Sequence, residues 1–285
     1  MIIDSHCHLH FDSFKSDRDQ VIASCIEHGV IINTVGTHSG TSKRAVELAE
    51  KNENMYATIG LHPTHVFPME VHGDEYDFIS KAETFDEAYY DTLAQSEKVI
   101  AVGECGIDLF HLPENKSTEE VLEKQKEVFL KQVDFANKYN LPLVIHVRDA
   151  HEQLIQILKS EVRSPKSAVV HCYTSNWGNA GKYLDMGFYL GFTGVITFPP
   201  KKTDPKSQED LIEVVKKCPL NRMLIETDAP YLAPQAYRGQ RCEPWMVEDV
   251  IKKIAEIRGK TLDEIKNILY QNTLNLFTRM KLKDS

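Results

Sequence analysis

Short apolar runs alternate with longer segments whose hydrophobic residues recur every three or four positions, and the alternation persists along the whole chain. Ile2-Ile3 open the first run, which continues through Asp4-Ser5-His6-Cys7-His8-Leu9. Over residues 15–28, Val21, Ile22, Cys25 and Ile26 fall at helical spacing, and Gly29 stands where a helix should stop. The β-branched run 30–37 predicts a second strand and residues 42–51 a second helix. Residues 55–62 form a third strand ending in Gly60-Leu61-His62-Pro63, and the polar, aromatic section 72–97 reads as helical, with room for an insertion. A fourth strand, 99–103, leads into Glu104-Cys105-Gly106-Ile107-Asp108. The clearest long helix is 116–139, with Val121, Leu122, Gln125, Val128, Phe129, Gln132, Val133 and Ala136 in phase. Strands at 142–149, 167–172, 188–196 and 222–228 follow, with helices at 150–161, 179–186 and 208–217 between them. Two helices, from about residues 243 and 261, close the chain.

Eight apolar strands alternating with helices over 285 residues predict an α/β fold, a single (β/α)8 TIM barrel domain spanning 1–285. A doubly wound open sheet shares this periodicity and is the rival architecture. No internal repeat suggests a solenoid, and no low-complexity stretch marks a linker.

Composition narrows the function classes. The chain is 42% hydrophobic and 26% charged, as expected of a globular protein in water, and its formal charge of −9 argues against a broad basic surface that wraps long nucleic acids. It does not exclude a local grip on one phosphate. No basic-then-apolar leader precedes the first strand, and no apolar run approaches the ~18 residues of a membrane span, so the expected location is the cytoplasm, with no membrane contact. Nothing marks an obligate protein partner. Six cysteines, at 7, 25, 105, 172, 218 and 242, form no CxxC pair and read as reduced thiols.

In such a barrel the chemistry sits at the C-terminal ends of the strands. Those ends carry His6 and His8, His62, Glu104, His146, His171 and Asp228. On a strand, His6 and His8 share a face about 7 Å apart, with Asp4 on the same face, and two imidazoles so placed can hold one metal ion. A lone histidine is more often a hydrogen-bonded core residue, but seven metal-competent side chains on six strand ends are poorly explained that way. Cys7, Cys105 and Cys172 neighbour these residues, so alternation turns them outward as structural thiols. Arg148 follows His146 closely, placed either to meet a substrate anion or to pair with a carboxylate. Imidazole and carboxylate donors accept Zn²⁺, Mn²⁺ and, less readily, Mg²⁺. A bridging carboxylate holding two ions about 3.5–4 Å apart suits phosphodiester hydrolysis.

The motifs Asp4-Ser5-His6-Cys7-His8-Leu9, Gly60-Leu61-His62-Pro63, Gly103-Glu104-Cys105-Gly106-Ile107-Asp108, His146-Val147-Arg148-Asp149-Ala150, His171-Cys172-Tyr173-Thr174 and Glu226-Thr227-Asp228-Ala229-Pro230-Tyr231-Leu232 resemble, in order, those of the TatD family of metal-dependent deoxyribonucleases, within the amidohydrolase-like barrels. The resemblance implies that His6, His8, Glu104 and Asp228 surround one metal. Glu104 then bridges to a second, held by His146 and His171. It places His62 beside the scissile phosphate and lets Asp228 take a proton from the attacking water. It also implies trimming of single-stranded DNA or RNA from the 3′ end with Mg²⁺ or Mn²⁺, Zn²⁺ being the other option. Arg148, Arg238 and Arg241 are the expected substrate-binding cations, with Tyr231 or Phe198 available for stacking. The chain departs from the family at Leu109, where an aromatic residue is frequent, at Cys242, where Asn is common, and in the length of 72–97.

Other readings stay open at this point. A zinc barrel hydrolase acting on amides, esters or phosphotriesters often carries a bridging lysine where Glu104 stands. D-aminoacyl-tRNA ester hydrolysis would use the same metals and water. A non-catalytic scaffold has no physical need for seven convergent polar groups.

Overall fold

The structure, a computed structural model, describes residues 1–72, 77–160 and 165–281. In chain order its elements are β1 (Ile2–Cys7), α1 (Arg18–Glu27), β2 (Val30–Val35), α2 (Ser39–Lys51), β3 (Met55–Ile59), β4 (Met69–His72), β5 (Asp77–Ser80), α3 (Glu87–Ala94), β6 (Val99–Asp108), α4 (Thr118–Tyr139), β7 (Leu143–Arg148), α5 (His151–Ser160), β8 (Ala168–Val170), α6 (Trp177–Asp185), β9 (Tyr189–Phe192), α7 (Pro205–Lys217), β10 (Met223–Ile225), α8 (Val247–Arg258) and α9 (Leu262–Leu276). Eight strands hydrogen-bond in the order β1-β2-β3-β6-β7-β8-β9-β10. The last strand returns to the first: Ser5 Oγ donates to Ile225 O at 2.9 Å and Asp228 N to His6 O at 2.9 Å. An open doubly wound sheet would leave both as edges, so the fold is the (β/α)8 barrel.

By compactness the chain divides into two units. The first, Met1–Thr34, Asn52–Met55 and Val169–Leu276, buries Ile3, Ile32, Leu190, Phe192 and Leu224 from its strands. Val250, Ile251 and Ile254 of α8 and Ile265 and Leu269 of α9 lie in the same core, as expected of strands covered by the apolar stripes of amphipathic helices. The second unit comprises Val35–Lys51, Tyr56–Ala168 and Phe277–Ser285. Here α4 is fixed at its start by a capping box in which Ser117 and Glu120 satisfy each other's backbone N–H groups. Its buried Gln132 brackets Leu61, accepting from Leu61 N at 2.8 Å and donating to Leu61 O at 2.9 Å. Gln125, one heptad earlier, treats Asp108 identically, at 2.9 Å to both N and O. Beyond the ladder, strand-end backbone has no strand partner, and a buried side-chain amide is the one neutral group that supplies donor and acceptor together.

The section 72–97 is not one helix. Residues 73–76 lie outside the described residues. Around them β4 and β5 pair antiparallel, Met69 opposite Ser80 and His72 opposite Asp77, and only α3 is helical. The sequence reason is local: Val71, Phe78 and Ile79 favour strand. A helix becomes possible only at Asp86, whose carboxylate accepts from Ala88 N (3.1 Å) and Tyr89 N (3.4 Å).

Several ends also move. The fourth barrel strand runs five residues beyond the expected 103, to Asp108, and the third stops at Ile59, after which Gly60 N donates to Ser42 Oγ and Leu61 N to Gln132 Oε1 instead of to a strand. His62 instead caps a 3-10 turn, Pro63–Val66. The seventh ends at Phe192, where Thr193 caps the turn Gly194–Thr197, and the eighth is only Met223–Ile225. The first helix begins at Arg18, after a 3-10 turn at Asp12–Phe14. Residue 161, the expected end of the helix that becomes α5, is outside the described residues.

Candidate metal centre

In the first unit four of the expected ligands meet. Asp228 Oδ1 lies 3.3 Å from His8 Nε2 and 3.7 Å from both His6 Nε2 and His171 Nε2. The His6 and His171 rings stack at 3.5 Å, and the His8 ring stands edge-on to His6 at 5.0 Å. Burial pushes the Asp228 carboxyl upward, but the His8 hydrogen bond and the nearby His171 and His6 rings outweigh it and hold the group below the usual carboxylate range. Asp4, expected on this face, is committed elsewhere: it accepts from Thr227 N (2.9 Å) and Thr227 Oγ1 (2.6 Å). That bond ties β1 to the segment carrying Asp228, and burial raises the Asp4 carboxyl well above its ordinary value.

In the second unit Glu104 Oε1 lies 2.8 Å from His146 Nδ1 and 3.5 Å from His62 Nε2. His146 Nε2 meets Asp108 Oδ2 at 3.0 Å, and the same oxygen holds His111 Nδ1 at 2.9 Å. Burial works to lower His146, yet Asp108 and Glu104 together raise it to about 9. His62, lowered by burial and by His146, stays neutral near pH 7, its Nδ1 engaged by Thr64 Oγ1 at 2.8 Å. Close strand approach makes the arrangement possible: Gly106 has φ +152°, and a Cβ there would collide with the backbone oxygen of His146.

Both donor sets fit a divalent ion. Ligand atoms about 2.0–2.2 Å from an ion lie roughly 3–4.4 Å from one another, and the imidazole–carboxylate separations match that range or fall just below it. His6, His8 and Asp228 form one such group and His62, Glu104 and His146 another, so geometry alone offers His62 as a donor as well.

Sequence reasoning missed the partners of these donors. Glu226, fully buried, lies with Oε1 2.9 Å from His171 Nδ1 and accepts from Cys172 N. It fills the space that a side chain at residue 191 would need: a Cβ on Gly191 would sit 2.5 Å from its carboxylate. Asp108, itself held by His111, is the carboxylate partner of His146. The one signal available was that Glu226 and Asp108 stand two and four residues from ligands, inside the quoted motifs.

Cys7 and Cys105 are fully buried thiols. Cys172 lies past the end of β8 with φ +44°, so strand alternation does not orient it, and its Sγ meets Thr193 Oγ1 at 3.4 Å. Of the three expected substrate cations, Arg148 stacks on Phe110 at 3.9 Å and Arg238 on Phe198 at 4.5 Å. Arg241 binds both Asp17 oxygens (2.9 and 2.6 Å) and Glu243 (3.0 Å). The Tyr231 ring lies 6.4 Å from that of His8.

A (β/α)8 barrel with buried histidines and carboxylates at its strand ends has the make-up of a metal-dependent hydrolase. The chain belongs to the TatD family: the TatD related DNase model matches residues 3–278. It is similar to the uncharacterized metal-dependent hydrolase YabD of Bacillus subtilis, 38% identical over 97% of this chain and 99% of that one. Similarity to the 3′-5′ ssDNA/RNA exonuclease TatD of Erwinia amylovora is 33% identity over 93% and 95%. Among solved structures, the TatD homologue YJJV of Escherichia coli superposes with a TM-score of 0.78 at 29% identity, covering 97% of this chain and 98% of that one. Among the described residues no helix is long and apolar enough to cross a membrane.

Proposed function

We propose that this hydrolase, working as a single cytoplasmic domain over residues 1–285, cleaves phosphodiester bonds from the 3′ end of single-stranded DNA or RNA with two divalent ions, Mg²⁺ or Mn²⁺ before Zn²⁺. The observation that carries this reading is the pair of imidazole–carboxylate donor sets, in a family with a relative named as a 3′-5′ exonuclease. His6, His8 and Asp228 would hold one ion and His146 and His171 the other, with Glu104 shared between them. When bound, such ions lower the pKa of coordinated water and neutralise charge on a phosphoryl oxygen.

The chain's own groups do the rest. Asp228, kept ionised by three imidazoles, orients the attacking water and accepts its proton. Neutral His62, its Nδ1 engaged by Thr64, donates from Nε2 to a phosphoryl oxygen. Arg148 and Arg238 supply positive charge to the strand, while Arg241, held by Asp17 and Glu243, contributes by stiffening its loop.

The test incubates metal-stripped protein with 3′- and 5′-labelled single-stranded DNA and RNA, adding Mg²⁺, Mn²⁺ or Zn²⁺ in turn. The expected result is metal-dependent shortening from the 3′ end, lost in Glu104→Ala with an unchanged circular dichroism spectrum. Turnover by Glu104→Ala at normal metal content refutes the shared carboxylate. Absence of cleavage with every ion, alongside hydrolysis of a D-aminoacyl-tRNA ester, overturns the nuclease reading. His62→Ala is expected to keep both metals and lose roughly 100-fold in rate; loss of metal in that variant makes His62 a ligand instead.

A further inference from the structure

Immediately after Asp108 the chain reads Leu109-Phe110-His111-Leu112, and Phe110 is an aromatic residue left 51% exposed. It is also held firmly. Its backbone N donates to Asp108 Oδ1 at 3.0 Å, and Leu109 N donates to Arg148 O at 2.9 Å, joining the ends of β6 and β7. The Arg148 guanidinium lies over the ring at 3.9 Å, and the His111 ring packs edge-on at 4.8 Å. Two strand ends and two side chains therefore fix the ring while much of its surface stays open to solvent.

Two further observations separate this cluster from an ordinary surface stack. Among the described residues, Arg148 has no carboxylate within ion-pair distance, whereas Arg241, stacked on Phe14 at 4.4 Å, is bound to Asp17 and Glu243. Arg241 is thus a clamp, while the charge of Arg148 remains available to an external anion. Second, His111 is 8% exposed and its Nε2 is buried with no hydrogen-bond partner among the described residues. Held by Asp108 through Nδ1, this ring braces the edge of Phe110 from the protein side.

We propose that Phe110, backed by Arg148 and edged by His111, is a stacking platform for a nucleobase of the substrate strand. The base lies on the open face of the ring. Arg148 pairs with a flanking phosphate, and the buried His111 ring holds the edge of the platform in place. Such a platform tolerates any base, because every base presents a π face, and it anchors a strand without requiring a broad basic surface. A rigid aromatic next to an unpaired guanidinium suits a ligand that is at once planar and anionic. The proposal rests on the nuclease reading above.

The test measures binding apart from turnover. In EDTA, a 5′-fluorescein-labelled oligothymidylate is titrated with wild-type protein, Phe110→Ala and Phe110→Trp, and binding is followed by anisotropy. Steady-state rates on the same oligonucleotide and on an abasic oligonucleotide of the same length, a phosphodiester strand without bases, are then compared with metal present. Phe110→Ala is expected to bind the oligonucleotide roughly tenfold more weakly. The loss in turnover should fall on KM for the oligonucleotide, not kcat, and should be much smaller on the abasic strand. Phe110→Trp should keep affinity, its indole emission being quenched on binding. Unchanged affinity in Phe110→Ala, or an equal loss on both substrates with a lowered Tm, overturns the platform while leaving the nuclease reading intact. Failure of the wild type to bind or cut any oligonucleotide overturns both.

Discussion

Glu226 shows how a residue two positions from a ligand decides whether that ligand works. Its carboxylate lies 2.9 Å from His171 Nδ1 and accepts from Cys172 N, while His171 Nε2 lies 3.7 Å from Asp228 Oδ1. Carboxylates behind metal-binding histidines typically account for 10- to 100-fold in metal affinity. Glu226→Gln is therefore expected to lower Mn²⁺ affinity by about that factor, and Gly191→Ala, which forces a Cβ toward the same carboxylate, should do likewise. Isothermal titration of metal-stripped protein measures both, and wild-type affinity in either variant would show that His171 does not need this partner. The proposed ligands are legible in the sequence because strand ends can be counted and histidines and carboxylates recur at them. Glu226, Asp108 and His111 are not legible, because a carboxylate that braces a ligand and one that binds a metal differ only in what each touches in space.

The same division between pattern and partner governs the elements. The long helix α4 is readable from its 3.6-residue period, and Gln125 and Gln132 are in phase with its buried face. Periodicity gives no reason for glutamine there. The reason is the strand ends at Leu61 and Asp108, whose backbone groups these amides satisfy. Gln132→Leu leaves Leu61 N–H and C=O buried and unpaired, and is expected to destabilise the protein by about 2 kcal/mol. The displacement should also reach His62, the next residue along, and reduce turnover. Urea unfolding of the variant tests this; a stability within about 0.5 kcal/mol of wild type, the usual range of a neutral surface change, would show that the bracket is dispensable. The hairpin β4–β5 is hidden from the sequence pattern for a related reason. It is an antiparallel pair inserted between a barrel strand and its helix, and four-residue strands are too short to establish a period of two against a helical background.

Charge bears on the molecule as a whole. With 33 basic and 42 acidic side chains, the chain carries a formal charge of −9, yet the proposed substrate is a polyanion. Long-range attraction cannot steer the strand in, so affinity has to come from short-range contacts: metal coordination, base stacking on Phe110, and the two arginines stacked on aromatic rings, Arg148 and Arg238. This makes the salt dependence a discriminating quantity. Each phosphate neutralised on a single strand contributes about −0.7 to the slope of log K against log salt, so two arginines predict a slope near −1.4. Between 50 and 200 mM salt, oligonucleotide binding should therefore weaken by roughly tenfold or less, against the roughly 300- to 16,000-fold that the same slope gives for six to ten phosphate contacts on a single strand. Anisotropy titrations across that range decide between the two. A steep slope would mean that basic residues elsewhere on the surface track the strand, and would move the search for the binding path away from the strand ends of the barrel.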